Sequence, residues 1–129
     1  MKNGDAVIKA YYPNGTLSTE FELKGGRYQG AYKIFFPNGK LQEERYYEVG
    51  DEEKQIVEYF NNGSTMRVQN YLLGELHGPT IEYNANGSNR IKENYVNGNL
   101  EGLCEYFDAT GKRIHAFYYM NGEMVTVIQ

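Results

Sequence analysis

Tryptophan is absent, cysteine occurs once and proline three times in 129 residues. A lone Cys104 excludes an internal disulfide and a cysteine-built metal cage. No apolar run approaches the ~20 residues that a membrane-crossing helix needs. The first residues, Met1-Lys2-Asn3-Gly4-Asp5, contain no apolar stretch of a secretory signal. These absences make a cytoplasmic protein the expectation. Bases are also scarce: 13 Lys and Arg against 17 Asp and Glu give a net charge of −4 and a pI near 5.2. Nucleic acid and anionic lipid are both held by basic surface, so neither is favoured as a direct partner. A basic protein partner suits this charge.

Glycine and aromatic residues are plentiful. With 15 Gly, 13 Tyr and 6 Phe, aromatics reach 15% of a chain that is only 40% hydrophobic, which argues against disorder. Their placement is periodic. Gly15, Gly39, Gly63, Gly87 and Gly111 are each 24 residues apart, and so are Gly26, Gly50, Gly74, Gly98 and Gly122. Tyr11, Phe35, Tyr59, Tyr83 and Phe107 precede the first series by four; Leu23, Tyr47, Tyr71, Tyr95 and Tyr119 precede the second by three. Gly30, Gly78 and Gly102 follow the second series by four, a column that Lys54 and Thr126 interrupt. The chain is one unit told five times.

Each unit carries two turns. Asn14-Gly15, Asn38-Gly39, Asn62-Gly63 and Asn86-Gly87 are hairpin signals, because both residues tolerate positive φ, and Asn97-Gly98 and Asn121-Gly122 repeat the signal in the second series. Between turns lie β-type segments such as Ala31-Tyr32-Lys33-Ile34-Phe35-Phe36, and no segment carries a helical apolar stripe. The expected fold is all-β: an elongated antiparallel meander of stacked β-hairpins, roughly ten strands in all. It forms one repeat domain over 1–129, with units near 6–29, 30–53, 54–77, 78–101 and 102–125 and a short C-terminal strand at 125–129. The aromatic columns read as core ladders running along the stack, rings buried and hydroxyls wet. Off-column rings such as Tyr46 and Tyr118 carry a second reading, a stacking platform for sugars or bases.

Among repeat families, the leucine ladder of leucine-rich repeats is missing, and choline- or glucan-binding repeats lean on Trp. Tyr106-Phe107-Asp108-Ala109-Thr110-Gly111 faintly resembles toxin-shell Tyr-Asp repeats, in that unit alone. The pattern Tyr11-Tyr12-Pro13-Asn14-Gly15-Thr16-Leu17, repeated as Phe35-Phe36-Pro37-Asn38-Gly39-Lys40-Leu41, resembles the MORN-type repeat in its bacterial variant. Its second half resembles Tyr71-Leu72-Leu73-Gly74-Glu75-Leu76-His77-Gly78 and Tyr95-Val96-Asn97-Gly98-Asn99-Leu100-Glu101-Gly102. The resemblance runs from residue 8 to 125. It implies a protein like those of the YwqK family, described as antitoxin or immunity partners of toxins. Eukaryotic relatives imply scaffolding, dimerisation or phospholipid association.

One stretch departs from the repeat. Glu52 stands at the Leu position and Lys54 at the Gly position, inside a segment holding Glu43, Glu44, Glu48, Asp51, Glu52, Glu53 and Glu58 against Arg45 and Lys54. Two readings stand: a solvated charged turn, or an anionic patch for a basic toxin or other effector. The apolar end Val125-Thr126-Val127-Ile128 similarly reads as a cap folded back on the sheet or as an edge that pairs with another chain, giving a homodimer. Catalytic patterns are lacking. His77 and His115 fall in variable columns, Cys104 in a column of small or apolar residues, and neighbouring carboxylates point to opposite faces of a strand. No cofactor loop or metal-ligand spacing is present, so the expectation is a non-enzymatic binding protein. The triplets Asn14-Gly15-Thr16, Asn62-Gly63-Ser64 and Asn86-Gly87-Ser88 match the glycosylation sequon only as by-products of turn chemistry.

Overall fold

A computed structural model describes residues 4–48 and 52–128. The first strands are β1 (Ala6–Tyr11), β2 (Leu17–Lys24), β3 (Arg27–Phe35), β4 (Leu41–Glu48), β5 (Glu52–Tyr59) and β6 (Thr65–Leu72). They are followed by β7 (Glu75–Leu76), β8 (Gly78–Tyr83), β9 (Asn89–Val96), β10 (Asn99–Leu100), β11 (Gly102–Phe107), β12 (Arg113–Met120) and β13 (Glu123–Ile128). All belong to one antiparallel sheet in the order β1-β2-β3-β4-β5-β6-β8-β9-β11-β12-β13, with β7 beside β6 and β10 beside β9. This is the hairpin meander expected from the paired turn series. The thirteen reduce to eleven because β7 and β10 are the first residues of strands that a bulge interrupts before β8 and β11, and the eleventh is the C-terminal β13. At ~4.8 Å per strand the sheet is roughly 50 Å long.

The two turn series are built differently. In the first, the amide of Gly15 donates to the carbonyl of Tyr12 at 2.9 Å and that of Tyr12 to Thr16 at 2.8 Å; the same pair recurs at 36–40, 60–64, 84–88 and 108–112. This is a three-residue loop whose glycine alone takes positive φ, as Gly15 does at 87°. The asparagines are therefore not selected for left-handed backbone, contrary to the sequence reading. Asn14 Oδ1 accepts from the amide of Thr16 at 2.9 Å, closing its own turn, and Asn14 Nδ2 donates to the carbonyl of Pro37 in the next unit at 3.2 Å. Asn38 and Asn62 likewise reach the following turn, at Asn61 Oδ1 and the Ala85 carbonyl. Where Thr110 replaces asparagine, Asp108 supplies the turn-closing oxygen to the amides of Thr110 and Lys112. In the second series Asn97 and Asn121 do adopt positive φ, 49° and 51°, with Gly98 and Gly122 behind them, as two-residue hairpin loops require. Leu73 occupies the same position at φ 51°.

The third glycine column sets the register. At Gly30, Gly78 and Gly102 the backbone turns left-handed, with φ of 73°, 101° and 79°. There the strand holds two more residues than its neighbour: Tyr71 pairs Leu76 but Val68 pairs Ile81, and Tyr95 pairs Leu100 but Lys92 pairs Glu105. Where Lys54 and Thr126 stand in that column, only one residue is extra: Tyr46 pairs Gln55 and Tyr47 pairs Glu53, while Tyr118 pairs Thr126 and Tyr119 pairs Met124. A side chain at that position disfavours the left-handed backbone on which the wider bulge depends. Each glycine also sits opposite a column tyrosine, Gly30 with Tyr47, Gly78 with Tyr95 and Gly102 with Tyr119.

No second layer covers the sheet. Among the described residues only Val57, Cys104, Ala116 and Thr80 are buried. Cys104 is fully enclosed, and burial raises its thiol pKa, in keeping with a packing residue. Ring contacts do not form one continuous ladder. They gather in two clusters, Phe21, Tyr28, Tyr32 and Tyr47 near one end and Tyr106, His115 and Phe117 near the other. Successive members of a column lie two strands, ~9.6 Å, apart, beyond ring contact. Leu76 and Leu100 fill the gaps beside Tyr71 and Tyr95. The C-terminal segment begins at Glu123, earlier than expected, and pairs with β12.

Two substitutions test this account by urea unfolding. Gly102→Ala meets no atom within 4 Å, so its cost is conformational alone, an expected loss of about 1–2 kcal/mol. Leu73→Asn relieves the same strain at a hairpin tip and is expected to raise stability by about 1 kcal/mol.

Candidate functional site

Strand alternation and register divide the side chains between two faces. One, the ring face, carries the column of Leu23, Tyr47, Tyr71, Tyr95 and Tyr119, whereas the column of Tyr11, Phe35, Tyr59, Tyr83 and Phe107 alternates to the other face. A row crosses it at one height from strand to strand: Thr19, Ile34, Glu43, Glu58, Arg67, Glu82, Ile91, Tyr106 and His115, each the direct partner of the next. Its middle is charged. Glu43 and Glu58 stand directly opposite one another, an arrangement that costs stability unless compensated. Compensation comes from two arginines. Arg45 Nε donates to Glu43 Oε2 at 2.6 Å, a bond that raises the guanidinium pKa. Arg67 Nε lies 3.0 Å from Glu58 Oε2 and 3.7 Å from Glu82 Oε1, bridging two neighbouring strands. Arg90 reaches the same Glu82 oxygen at 3.8 Å.

The adjoining rows add two further carboxylates. Glu53 pairs with Tyr47, and its charge helps to raise the pKa of both Tyr47 and Tyr71 after burial has done most of it. Glu93 accepts from Tyr95 Oη at 3.1 Å and from Tyr106 Oη at 2.6 Å. Burial first, then Glu93, pushes Tyr95 up to about 12 and Tyr106 higher still. These hydroxyls remain proton donors at neutral pH. The centre of the ring face thus gathers Glu43, Glu53, Glu58, Glu82 and Glu93 around Arg45 and Arg67, and stays acidic.

The seven acids picked out in the sequence do not form one patch. Glu43, Glu53 and Glu58 share the ring face. Glu44, Glu48 and Glu52 lie on the opposite face. There Glu44 accepts from Tyr59 Oη at 3.0 Å, and Lys54 Nζ lies 3.0 Å from Glu52 and 3.9 Å from Glu48. Asp51 lies outside the described residues. The sequence reading missed Glu82 and Glu93, which are remote along the chain. The signal for Glu82 was available, since Glu58 and Glu82 occupy one column of the 24-residue period. The two histidines take separate structural places. His77 Nδ1 accepts the amide of Asn97 at 3.2 Å, as Glu101 Oε2 accepts that of Asn121 at 2.7 Å one unit later, and His115 stacks on Phe117.

An open single-layer sheet of repeated hairpins, with both faces turned to solvent, defines the chain as a β-hairpin repeat protein. Residues 28–48 match the family model described as a MORN repeat variant. That match spans about one period, and the same turn glycines and aromatic columns recur in the others, which supports a MORN-type repeat protein. No curated protein matches the chain.

The charged row makes two predictions. Arg67→Met strands Glu58 and Glu82 beside Glu43 and is expected to cost about 1–3 kcal/mol, between the values of surface and buried pairs. Adding salt should shrink that loss, and urea unfolding at two ionic strengths checks it. The second concerns alkaline pH. Tyr59 and Tyr95 titrate near 12 in the folded chain against 10.0 when unexposed to these surroundings. Between those values the unfolded state loses protons that the folded state keeps, so stability present below pH 10 falls as pH rises to 12. Thermal melting followed from pH 8 to 11.5 should show the midpoint dropping above pH 10, and less steeply in Tyr95→Phe.

Proposed function

We propose that this protein is a non-catalytic binding protein that neutralises a basic partner protein by covering it, in the manner of an antitoxin or immunity protein. The observation that carries this reading is the convergence of Glu43, Glu53 and Glu58 with Glu82 and Glu93 on one open, ring-lined face. Carboxylates beside tyrosine hydroxyls and ring edges suit lysine and arginine side chains, by charge and by cation–π contact. An acidic centre about 19 Å wide, from β4 to β9, also suits the basic groove of an enzyme that acts on nucleic acid, with long-range attraction speeding encounter. The repeat match supports binding in general; the antitoxin role extends it. Glu44, Glu48, Asp51 and Glu52 contribute to the attractive field in this reading without forming the contact face.

Co-purification from the native host tests it. A stoichiometric basic protein should be recovered whose expression alone arrests growth and whose co-expression with this chain does not. The triple variant Glu43→Gln, Glu58→Gln, Glu82→Gln should weaken the complex at least tenfold, while Glu48→Gln with Glu52→Gln should change it little at physiological salt. Equal loss from both sets would move the contact off the ring face. A second reading, a scaffold or dimerisation module, is favoured by the exposed Met124, Val125 and Val127 of β13. Recovery of a lone homodimer would support it. Phospholipid association stands third, opposed by the negative charge, and sedimentation with anionic liposomes tests it.

A further inference from the structure

Asparagine followed by glycine is the pair most open to spontaneous deamidation, because glycine has no side chain to keep its amide nitrogen away from the asparagine side chain. The chain holds seven such pairs, and its other asparagines precede residues with side chains. Asn3 lies outside the described residues. The other six pairs stand at exposed turns, so exposure does not rank them. Each glycine amide is also engaged in both series, Gly15 with the Tyr12 carbonyl at 2.9 Å and Gly98 with that of Leu76 at 2.8 Å.

The side chains differ. In the first series Oδ1 of Asn14, Asn38, Asn62 and Asn86 accepts the amide two residues on, at 2.9 Å in each case. Ser64 Oγ and Ser88 Oγ add a second donor to Asn62 and Asn86. Asn14, Asn38 and Asn62 are held at the other end too, where Nδ2 donates into the next turn at 3.2, 2.7 and 3.3 Å. In the second series the bonds run through the main chain: the amide of Asn97 donates to His77 Nδ1 and that of Asn121 to Glu101 Oε2. Among the described residues no hydrogen bond holds either of these two side chains.

That difference bears on a reaction. The glycine nitrogen has to reach the asparagine Cγ, so the side chain must turn over its own backbone. A side chain fixed at both ends gives up two hydrogen bonds first, each worth a few-fold to about tenfold in population. A free one gives up none. We propose that Asn97 and Asn121 are the sites of spontaneous deamidation in the folded protein, and that the first-series asparagines are protected by the turns they close. The glycine nitrogen loses its proton and bonds to Cγ. The Cγ–Nδ2 bond breaks and ammonia leaves with that proton, giving a five-membered imide. Water then adds to one imide carbonyl. Cleavage of the new N–Cγ bond leaves aspartate. Cleavage of the original peptide bond leaves isoaspartate, whose main chain runs through the former side-chain methylene.

Both sites are joints of the array. Gly98 and Gly122 donate to the carbonyls of Leu76 and Leu100 in the preceding unit. The imide nitrogen has no hydrogen to donate, and isoaspartate lengthens a two-residue loop whose backbone is fixed by the strands it joins. At Asn121 the new carboxylate also arises beside Glu101. Deamidation therefore loosens the third unit from the fourth and the fourth from the fifth, while the border tied by Asn14, Asn38 and Asn62 keeps its bonds.

Peptide mass spectrometry of protein aged at mildly alkaline pH, folded or unfolded in guanidinium chloride, tests this. In the unfolded chain all seven pairs should convert at similar rates. In the folded chain Asn97 and Asn121 should convert at least fivefold faster than Asn14, Asn38 and Asn62, with Asn86 between. Two variants move the effect. Leu73→Asn puts a new pair on the third tip, at φ 51°, and that position should convert as fast as Asn97. Asn61→Ala removes the acceptor of Asn38 Nδ2, so conversion of Asn38 should rise at least twofold, with Asn14 in the same molecule as the unchanged reference. Aged wild-type protein should unfold at lower urea than fresh protein. Asn97→Gly with Asn121→Gly should abolish that drift, since glycine is at ease in left-handed backbone. Equal rates in the two series, faster conversion in the first, or intact tips in a folded chain whose unfolded form converts overturns the proposal. So does a Leu73→Asn position that converts no faster than Asn14. An unchanged Asn38 in Asn61→Ala overturns the protection by inter-unit bonds, and an aged urea midpoint equal to the fresh one overturns the loosening.

Discussion

A single sheet with nothing packed on either side has to hold itself together through contacts between neighbouring strands. Every other feature of this protein follows from that constraint. Four residues among those described are buried. Of the other apolar side chains, some, Leu73 among them, are exposed, and many are half-covered by their cross-strand neighbours. Tyrosine suits such a position because its ring is shielded while its hydroxyl stays at the surface or finds a carboxylate, as at Glu44 and Glu93.

Hydrogen bonds along the two long borders tie successive units together. On one border Asn14, Asn38 and Asn62 each close a turn and reach the next. On the other, Gly98 donates to the carbonyl of Leu76 and Gly122 to that of Leu100, with His77 and Glu101 capping the same tips. The borders therefore stiffen the array where strand pairing ends, which matters in a fold whose units touch only their neighbours. Stability is local in such an array, so one unit tolerates an altered turn or a one-residue bulge without disturbing the rest. Lys54 and Thr126 are examples.

The same openness leaves two large surfaces available, and the repeat differentiates them by position. Columns that face the rings accumulate acids in the middle units, where arginines bridge them only in part. One column on the opposite face, Lys24, Glu48, Leu72, Val96 and Met120, passes from charged to apolar between the second and third units. A repeat protein can vary such columns freely because they carry no part of the register. Binding specificity then comes from which units hold which residues, and the proposed acidic face is one outcome of that variation.

Much of the fold was legible from spacing. Two glycine series at 24 residues and the absence of any helical stripe lead to stacked antiparallel hairpins, because turn residues and strand residues announce themselves locally. The reason for individual residues was less legible. Asparagine before glycine was read as a φ preference, yet in four of the first-series turns its side-chain oxygen does the work. The Gly30, Gly78, Gly102 column showed its period but not its role, since a bulge is a relation between two strands. The acidic run illustrates the divide best. Sequence placed seven carboxylates within sixteen residues; alternation sends the six described ones to opposite faces, and register brings Glu82 and Glu93 to three of them. Period and turn chemistry belong to short stretches of chain and are fixed by them. Which charges meet across strands depends on how many residues each bulge absorbs, and that is decided only when the strands pair.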